Sequence, residues 1–240
     1  MLQFLSYLIN GISLGSVYAI IALGYSMVYG IAKMLNFAHG DIIMVGAFVA
    51  FNAIHHMGLP PMVAVLLAVI VCTVLGVVIE RLAYKPLRQA SSLAVLITAI
   101  GMSYLLQNLA LLLWGANPVS FPSVVDIEPL SLFGGQLRIT GVTMVTVLAN
   151  VVIMIALTLF TGRTKMGKAM RCVSEDRGAA ELMGVNVNGT IALTFAIGSA
   201  LAAIAGVLLC SAYPVLMPTT GAMPGIKAFT AAVFGGIGSI

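Results

Sequence analysis

Long apolar stretches separated by short polar segments dominate this chain. From Leu182 to Ile226 there is no Asp, Glu, Lys or Arg, whereas the segment just before, Arg163 to Glu181, is rich in charge. A helix of about 20 apolar residues crosses a bilayer, because a helix satisfies its own backbone hydrogen bonds in hydrocarbon. The pattern therefore predicts membrane-spanning helices, with the polar surface concentrated in one segment exposed to water.

Seven apolar stretches have the length and composition of membrane helices, and charged or helix-breaking residues bound them. We expect an all-α polytopic membrane protein with about six complete transmembrane helices and a truncated seventh. A single transmembrane domain covers residues 1–240 in this interpretation. The expected stretches are residues 5–31, 37–53, 62–79, 93–114, 141–161, 191–213 and 226–240.

The composition excludes a soluble domain. Hydrophobic residues make up 61% of the chain and charged residues 8%, whereas soluble domains carry about 25% charged residues. The net charge of +4 does not indicate nucleic-acid binding, because the basic residues lie in short connections rather than on one face. The three cysteines are scattered without paired spacing, which predicts neither a disulfide frame nor a zinc site.

The basic residues indicate the orientation in the membrane. Short connections rich in Lys and Arg remain in the cytoplasm, so the connections after the third and fifth stretches should be cytoplasmic. The segment 115–140, with its acids and prolines, should be external. The N-terminus is then outside if the first two stretches both cross fully, and a re-entrant second stretch would reverse that. The basic residues are Arg81, Lys85, Arg88, Arg163, Lys165, Lys168, Arg171 and Arg177.

Within the cytoplasmic segment 163–189 the sequence predicts a short helix. Ser174 can cap it, two acids follow in the first turn, and Gly184 suits the left-handed residue at its end. Arg177 and Glu181, four residues apart, would form a polar edge. Such a helix can offer a small apolar face to a groove of another protein, or it can be a solvated loop. The candidate contact residues are Glu175, Asp176, Ala179, Ala180, Leu182, Met183 and Gly184.

One motif in this segment resembles a nucleotide site without being one. Residues 162–169 match the phosphate-binding pattern GxxxxGK, but Ala169 stands where Ser or Thr would ligate Mg²⁺. The motif also follows a membrane helix rather than a strand. We therefore expect no bound nucleotide and no other cofactor in this chain.

Three polar residues lie together at the start of the second stretch: Asn36, His39 and Asp41. Ionisable groups in a membrane segment suggest function, so they could line a pathway or carry protons. They could equally lock the first two helices together, with Asp41 paired to Lys33 or His39. In the fourth stretch, Gln107 and other polar residues are expected mainly to hydrogen-bond between helices. The histidines lack the spacing of a metal site, and no metal is expected.

Several ordered motifs together carry a family resemblance. The chain resembles the permeases of bacterial ABC importers for branched-chain amino acids over essentially its whole length. The related urea-importer permeases share parts of these motifs and are the nearest alternative. The motifs are residues 36–41, 80–88, 99–103 with Gln107-Asn108, 166–171 with Glu175-Asp176 and 179–184, and 227–239.

The resemblance implies an importer of several chains in the bacterial inner membrane. Two permease subunits, the second expected to be a sister chain, would form the channel. Two cytoplasmic ATPases would bind and hydrolyse ATP. A periplasmic binding protein would deliver leucine, isoleucine or valine. Residues 175–184 would form the coupling helix that docks on the ATPase. Family members continue past the final glycine-rich turn, which implies a C-terminally incomplete sequence.

Two other classes compete with this interpretation. A secondary transporter should carry inverted repeats and several buried charges, and an intramembrane enzyme should carry a nucleophile with its base or a set of metal ligands. The sequence displays no clear repeat, and Asp41 is its one prominent acid within an apolar stretch. The sequence thus favours a transport permease that is not itself an enzyme.

Overall fold

The computed structural model describes residues 2–132 and 137–238 and is mainly helical. A π-helical turn, Glu80–Tyr84, and a 3-10 turn, Lys85–Leu87, extend the third helix. The all-α membrane architecture predicted from the sequence is confirmed. The helices are α1 Leu2–Ala32, α2 His39–His55, α3 Pro61–Ile79, α4 Ser92–Trp114, α5 Gly141–Arg163, α6 Lys165–Glu175, α7 Arg177–Leu182, α8 Val187–Ala212 and α9 Ala222–Phe234.

Five helices of the described chain are long and apolar enough to cross a membrane: α1, α3, α4, α5 and α8. The other two apolar helices are shorter, with 17 residues in α2 and 13 in α9. At 1.5 Å per residue they extend about 25 Å and 20 Å, against a hydrocarbon core of about 30 Å. The second and seventh apolar stretches therefore contain partial helices.

α8 lies at the centre of the bundle and packs on α1, α2 and α3. Small residues allow this close approach. A Cβ added to Gly46 of α2 would lie 2.7 Å from the Cα of Ala203 in α8, and one added to Gly206 would collide with the carbonyl group of Ile43. By contrast, Gly11 and Gly15 of α1 meet nothing within 4 Å. Their small size serves no contact within the described chain.

The first turns of α2 and α9 meet backbone to backbone inside the protein. A Cβ added to Gly40 would lie 2.9 Å from the carbonyl oxygen of Gly221, and one on Gly225 would lie 2.9 Å from the Cα of Gly40. From this point the two helices run toward opposite ends of the bundle. α2 leads to Trp114, whose ring stacks on Phe48 with centroids 4.5 Å apart. α9 leads toward Gly30, near the end of α1.

The end of the bundle that carries Arg88 and Arg177 is called the basic end below. The end of α1, the π and 3-10 turns, the start of α4 and the helices α6 and α7 all gather there. The prevalence of basic side chains predicts that this end is cytoplasmic. Because α1 ends there, its other end is then expected on the external side.

The segment 115–140, which is predicted to be external, carries three short strands and precedes α5. β1, Val119–Ser120, pairs antiparallel with β4, Val215–Leu216, which follows α8. β2, Leu130–Leu132, pairs antiparallel with β3, Leu137–Ile139. Residues 133–136 of this segment lie outside the described residues. The β1–β4 pair ties the external segment to the connection between α8 and α9.

The seventh apolar stretch differs from its predicted limits. α9 begins at Ala222, before Pro224, rather than near Ile226. Proline is tolerated in the first helical turn, where its missing N–H has no helical partner. The helix ends at Phe234, and Gly236 and Gly238 adopt positive φ angles of 88° and 94°. Residues 239–240 of the predicted stretch lie outside the described residues.

Candidate functional site

The segment 163–189, which is predicted to be cytoplasmic, folds as two short helices, α6 and α7, at the basic end. Thr164 caps α6, and its hydroxyl oxygen accepts from the backbone N–H of Gly167 at 2.9 Å. The inner face of α6 buries Met170 and Val173 in the hydrophobic core of the bundle. α6 is therefore fixed to the membrane helices rather than suspended in solvent.

The start of α7 corrects the predicted cap. Glu175 is the last residue of α6, and Asp176 rather than Ser174 caps α7. The Oδ1 atom of Asp176 accepts from the backbone N–H of Gly178 at 2.8 Å. Ser174 instead donates to a carbonyl of its own helix at 2.7 Å. An N-cap residue needs a non-helical backbone. Asp176 has φ −148° and ψ 115°, whereas Ser174 continues α6.

The end of α7 has the geometry of a Schellman motif. Gly184 has φ 82°, in the left-handed region that its predicted place at the helix end requires. Its N–H donates to the carbonyl of Glu181 at 2.9 Å, and the N–H of Val185 donates to the carbonyl of Ala180 at 3.0 Å. Both ends of this one-and-a-half-turn helix are thus closed by specific hydrogen bonds, which makes its shape well defined.

The candidate contact residues of α7 divide between two faces. Ala180 is 3% exposed and packs in the hydrophobic core, so it faces this chain rather than a partner. Leu182 and Met183 are 90% and 84% exposed. The remaining candidates, Glu175, Asp176, Ala179 and Gly184, are also exposed. The surface available to a partner is therefore centred on two large apolar side chains, and their contact role stays a prediction.

Arg177 ties α7 to the end of α1. Its guanidinium donates to the carbonyl oxygen of Ala32, the last residue of α1. The expected polar edge between Arg177 and Glu181 is wrong, because the arginine turns toward α1. The final carbonyls of a helix lack helical partners and attract cations. Partial burial, together with the charge of Arg88, lowers the pKa of Arg177.

Arg88 forms a second link at the basic end. It donates to the buried carboxylate of Glu80 and to the side-chain oxygen of Asn188, at the start of α8. The Glu80–Arg88 bridge is the ion pair found among the described residues. A cleft of about 610 Å³ separates this link from the start of α7, and Lys33, Arg88 and Asp176 are among the residues that line it. The connections of the basic end are thus joined around one charged cleft.

The polar residues of the second stretch point to three different neighbours. The side-chain oxygen of Asn36 accepts from the Tyr84 hydroxyl at 3.0 Å. The His39 ring packs on Tyr25 with centroids 4.5 Å apart, and its Nε2 has no hydrogen-bond partner in the described structure. All three members of the set are buried. Asn36 and His39 therefore serve to pack the start of α2 against α3 and α1.

Asp41 has a partner that the sequence analysis did not assign to it. Its Oδ1 accepts from the side-chain amide of Gln107 in α4 at 2.9 Å. The expected pairing of Asp41 with Lys33 or His39 is wrong, because α2 begins deep in the bundle and turns this carboxylate toward α4. The predicted interhelical role of Gln107 is confirmed. Asn108 is exposed and donates to the Tyr104 carbonyl of its own helix at 2.7 Å.

A cavity of about 330 Å³ lies beside Asp41. Residues from α1, α4 and α9 and the start of α2 form its walls, and five of them carry polar side chains. The cavity combines one carboxylate with hydroxyl groups, an amide and apolar surface. Its lining consists of Tyr25, Phe37, Gly40, Asp41, Ile100, Ser103, Tyr104, Gln107, Ala222, Gly225 and Ile226.

No group of three or more His, Cys, Asp and Glu side chains within residues 2–132 and 137–238 could hold a metal ion. His55 and His56 instead pack against Phe51. The described residues offer an exposed apolar surface on α7 and a polar cavity beside Asp41, and neither arrangement provides a nucleophile with an adjacent base.

Several residues that build these sites were not predicted from the sequence. Tyr84 and Arg88 were placed only in a basic connection, and Arg177 was assigned to the wrong partner. Tyr25 was not predicted to be a site residue. Tyr84 borders an apolar stretch and carries a hydroxyl group, which suggests that it forms a hydrogen bond. Nothing local in the sequence identifies Asn36 as its partner.

Comparison with known proteins gives consistent matches over almost the whole chain. A family model described as branched-chain amino acid transport system / permease component matches residues 7–240. The high-affinity branched-chain amino acid transport system permease protein BraD of Pseudomonas aeruginosa is 46% identical over 99% of this chain and 81% of its own length. The corresponding protein LivH of Escherichia coli is 45% identical over 100% of this chain and 81% of its own length.

A more distant relative is the probable branched-chain amino acid transport permease protein LivH of Methanocaldococcus jannaschii. It is 29% identical over 91% of this chain and 70% of its own length. No solved structure matches the chain.

Proposed function

The chain belongs to the family of permease components of branched-chain amino acid transport systems, and on this premise we propose that it forms the membrane pathway of an ABC importer. The proposed substrates are leucine, isoleucine and valine. The relatives described above are named for that class, which favours it over urea. As a transport permease, the chain would carry out no chemical step itself.

The proposed importer contains further chains in the inner membrane and on both its faces. Two cytoplasmic ATPase subunits would bind and hydrolyse ATP, so this chain needs no cofactor of its own. A second permease, proposed to be a sister chain, would complete the pathway. A periplasmic binding protein would deliver the amino acid to the external side.

The exposed pair Leu182 and Met183 at the end of α7 is the observation that carries this proposal. Two large apolar side chains, 90% and 84% exposed, lie at the cytoplasmic end on a short helix with closed ends. Apolar anchors of this kind dock into grooves of partner proteins. A soluble ATPase subunit is the occupant that the family implies.

The contacts of α6 and α7 suit the transmission of force. Arg177 holds the start of α7 to α1, and Met170 and Val173 hold α6 to the core. A partner that pulls on Leu182 would therefore move these helices with α1 as one body. Rigid movements of helices can open a pathway to one side and then to the other, as alternating access requires.

Leucine uptake tests the proposed substrate. The full-length importer, with its permeases, ATPases and binding protein, would be reconstituted in proteoliposomes. We expect uptake of radiolabelled leucine that depends on ATP and is unaffected by excess urea. Urea uptake with leucine uptake at background would contradict the substrate assignment. Uptake driven by an ion gradient without ATP would indicate a secondary transporter instead.

A further inference from the structure

The cavity beside Asp41 lies near the middle of the membrane span. Ser103 lines it and is the midpoint of α4, which has 23 residues. At 1.5 Å per residue, each end of α4 is about 17 Å away along the helix axis. The cavity volume of about 330 Å³ falls at the small end of the range of ligand pockets, about 300–1,000 Å³. A small molecule moving between the two faces would meet this site halfway.

Asp41 gives the cavity an acidic group without a basic partner. The residue is 1% exposed, and it is the one carboxyl group of the cavity lining. Its hydrogen-bond partner is the neutral amide of Gln107, and no basic side chain of the described residues forms an ion pair with it. An isolated carboxylate in a membrane is costly. A ligand that brings a positive charge would lower that cost.

The start of α9 favours an anionic group of the ligand. The positive end of a helix dipole favours anions. In α2 that position is occupied by Asp41, which lies in the first turn. In α9 the first turn has no acid and the N-cap Gly221 has no side-chain cap, while Ala222 lines the cavity. Discontinuous membrane helices whose N-termini face an anionic group of the ligand are a known arrangement in transporters.

The rest of the lining combines hydroxyl groups and apolar surface. The hydroxyl groups of Tyr25 and Tyr104 can donate to an anionic group. Phe37, Ile100 and Ile226 provide the apolar wall. The cavity therefore offers a partner to each part of an aliphatic amino acid: its ammonium, its carboxylate and its side chain.

We propose that this cavity is a transient binding site for an aliphatic α-amino acid in its zwitterionic form. Asp41 accepts hydrogen bonds from the ammonium group. The tyrosine hydroxyls donate to the carboxylate, the dipole of α9 favours its negative charge, and the side chain lies against Phe37 and Ile100. This inference rests on the proposed function and adds to it the place within the permease where the substrate pauses.

Cysteine protection tests binding without relying on transport. Ser103→Cys in the assembled importer places a thiol in the cavity, and Ile100→Cys provides a second reporter on the same face of α4. The exposed native Cys172 is replaced by Ser, while Cys72 and Cys210 are buried. We expect leucine to slow labelling by a small thiol reagent. Leucinol, which lacks the carboxylate, and 4-methylpentanoate, which lacks the ammonium, should protect less. Equal labelling with and without leucine at both positions would overturn the proposal.

Asp41→Asn tests the role of the charge, because it preserves the size of the side chain and a partner for Gln107. Losing a hydrogen bond to a charged group corresponds to about tenfold or more in binding. We expect the leucine concentration that gives half-maximal protection to rise by at least that factor. The matched control is Asp126→Asn, which removes the same charge from an exposed site in the external segment and should change nothing.

The outcomes separate the two proposals. If the wild-type importer does not transport leucine, the proposed function fails. If it does transport leucine but Asp41→Asn retains wild-type protection and uptake, the proposed function stands and the cavity site is refuted.

Discussion

The guanidinium of Arg177 donates to the carbonyl oxygen of Ala32, across 145 positions of sequence. This bond joins the first residue of α7 to the last residue of α1. It supplies a partner to a carbonyl that the helix itself leaves unpaired. The helix that exposes Leu182 at the basic end is thereby attached to one of the five long apolar helices of the described chain.

Replacing Arg177 by Ala should weaken the attachment of α7 to α1. Hydrogen bonds that involve a charged group contribute about 1.5–3 kcal/mol, so the thermal midpoint of the purified importer should fall. The amount of leucine transported per ATP hydrolysed should also decrease. Lys168→Ala is the control, since it removes an exposed basic side chain of α6. Unchanged coupling in the Arg177 variant would argue against transmission through this bond.

Substitutions on the two faces of α7 should separate docking from folding. Leu182→Arg should leave the permease folded but abolish its copurification with the ATPase, because the side chain is 90% exposed. Ala180→Arg places a charge in the core and should destabilise the permease by about 3–5 kcal/mol. The two properties are read by affinity copurification and by size-exclusion profiles. An intact ATPase complex with Leu182→Arg would refute the docking surface.

Tyr84→Phe should destabilise the bundle modestly by removing the hydrogen bond to Asn36. Hydrogen bonds between membrane helices contribute on average about 0.6 kcal/mol and at most about 1.7 kcal/mol. The thermal midpoint of the purified permease is the measurement. Tyr7→Phe is the control, because Tyr7 is exposed and should not alter the midpoint. Equal midpoints for both variants would show that the Asn36–Tyr84 bond adds nothing measurable.

Gly46→Ala should disturb the contact between α2 and α8. The added Cβ would lie 2.7 Å from the Cα of Ala203, and overpacking of this kind costs about 1–3 kcal/mol. Gly11→Ala makes the same change where nothing lies within 4 Å. If both variants melted at the wild-type temperature, the close packing of α2 on α8 would not limit stability.

The long helices were predictable because their signal is local. Apolar runs bounded by charges predicted the limits of α3, α4, α5 and α8 to within a few residues. The position of Gly184 predicted the end of α7. The short length of α2 was harder to predict from the sequence. An apolar run of similar composition can cross fully or begin midway, and only the packing of the start of α2 beneath α9 decides between them.

The side-chain partners were not predictable, since each bond joins distant parts of the sequence. Asn36 meets Tyr84 across 48 positions, and Asp41 meets Gln107 across 66. The predicted N-cap residue of α7 was wrong for another reason. Ser174 and Asp176 are both good N-cap residues, and the extent of α6, set by its contact with the core, determined which one was used.

The meeting of α2 and α9 at Gly40 and Gly221 has a mechanical consequence. α2 runs from this contact toward Trp114, and α9 runs toward Gly30. Their first turns touch through main-chain atoms, which have no rotamers to absorb displacement. Tilting either helix must therefore shift the other about a common pivot. A label at the end of α2 near Trp114 should therefore report movements that begin at the basic end, where the ATPase is proposed to dock.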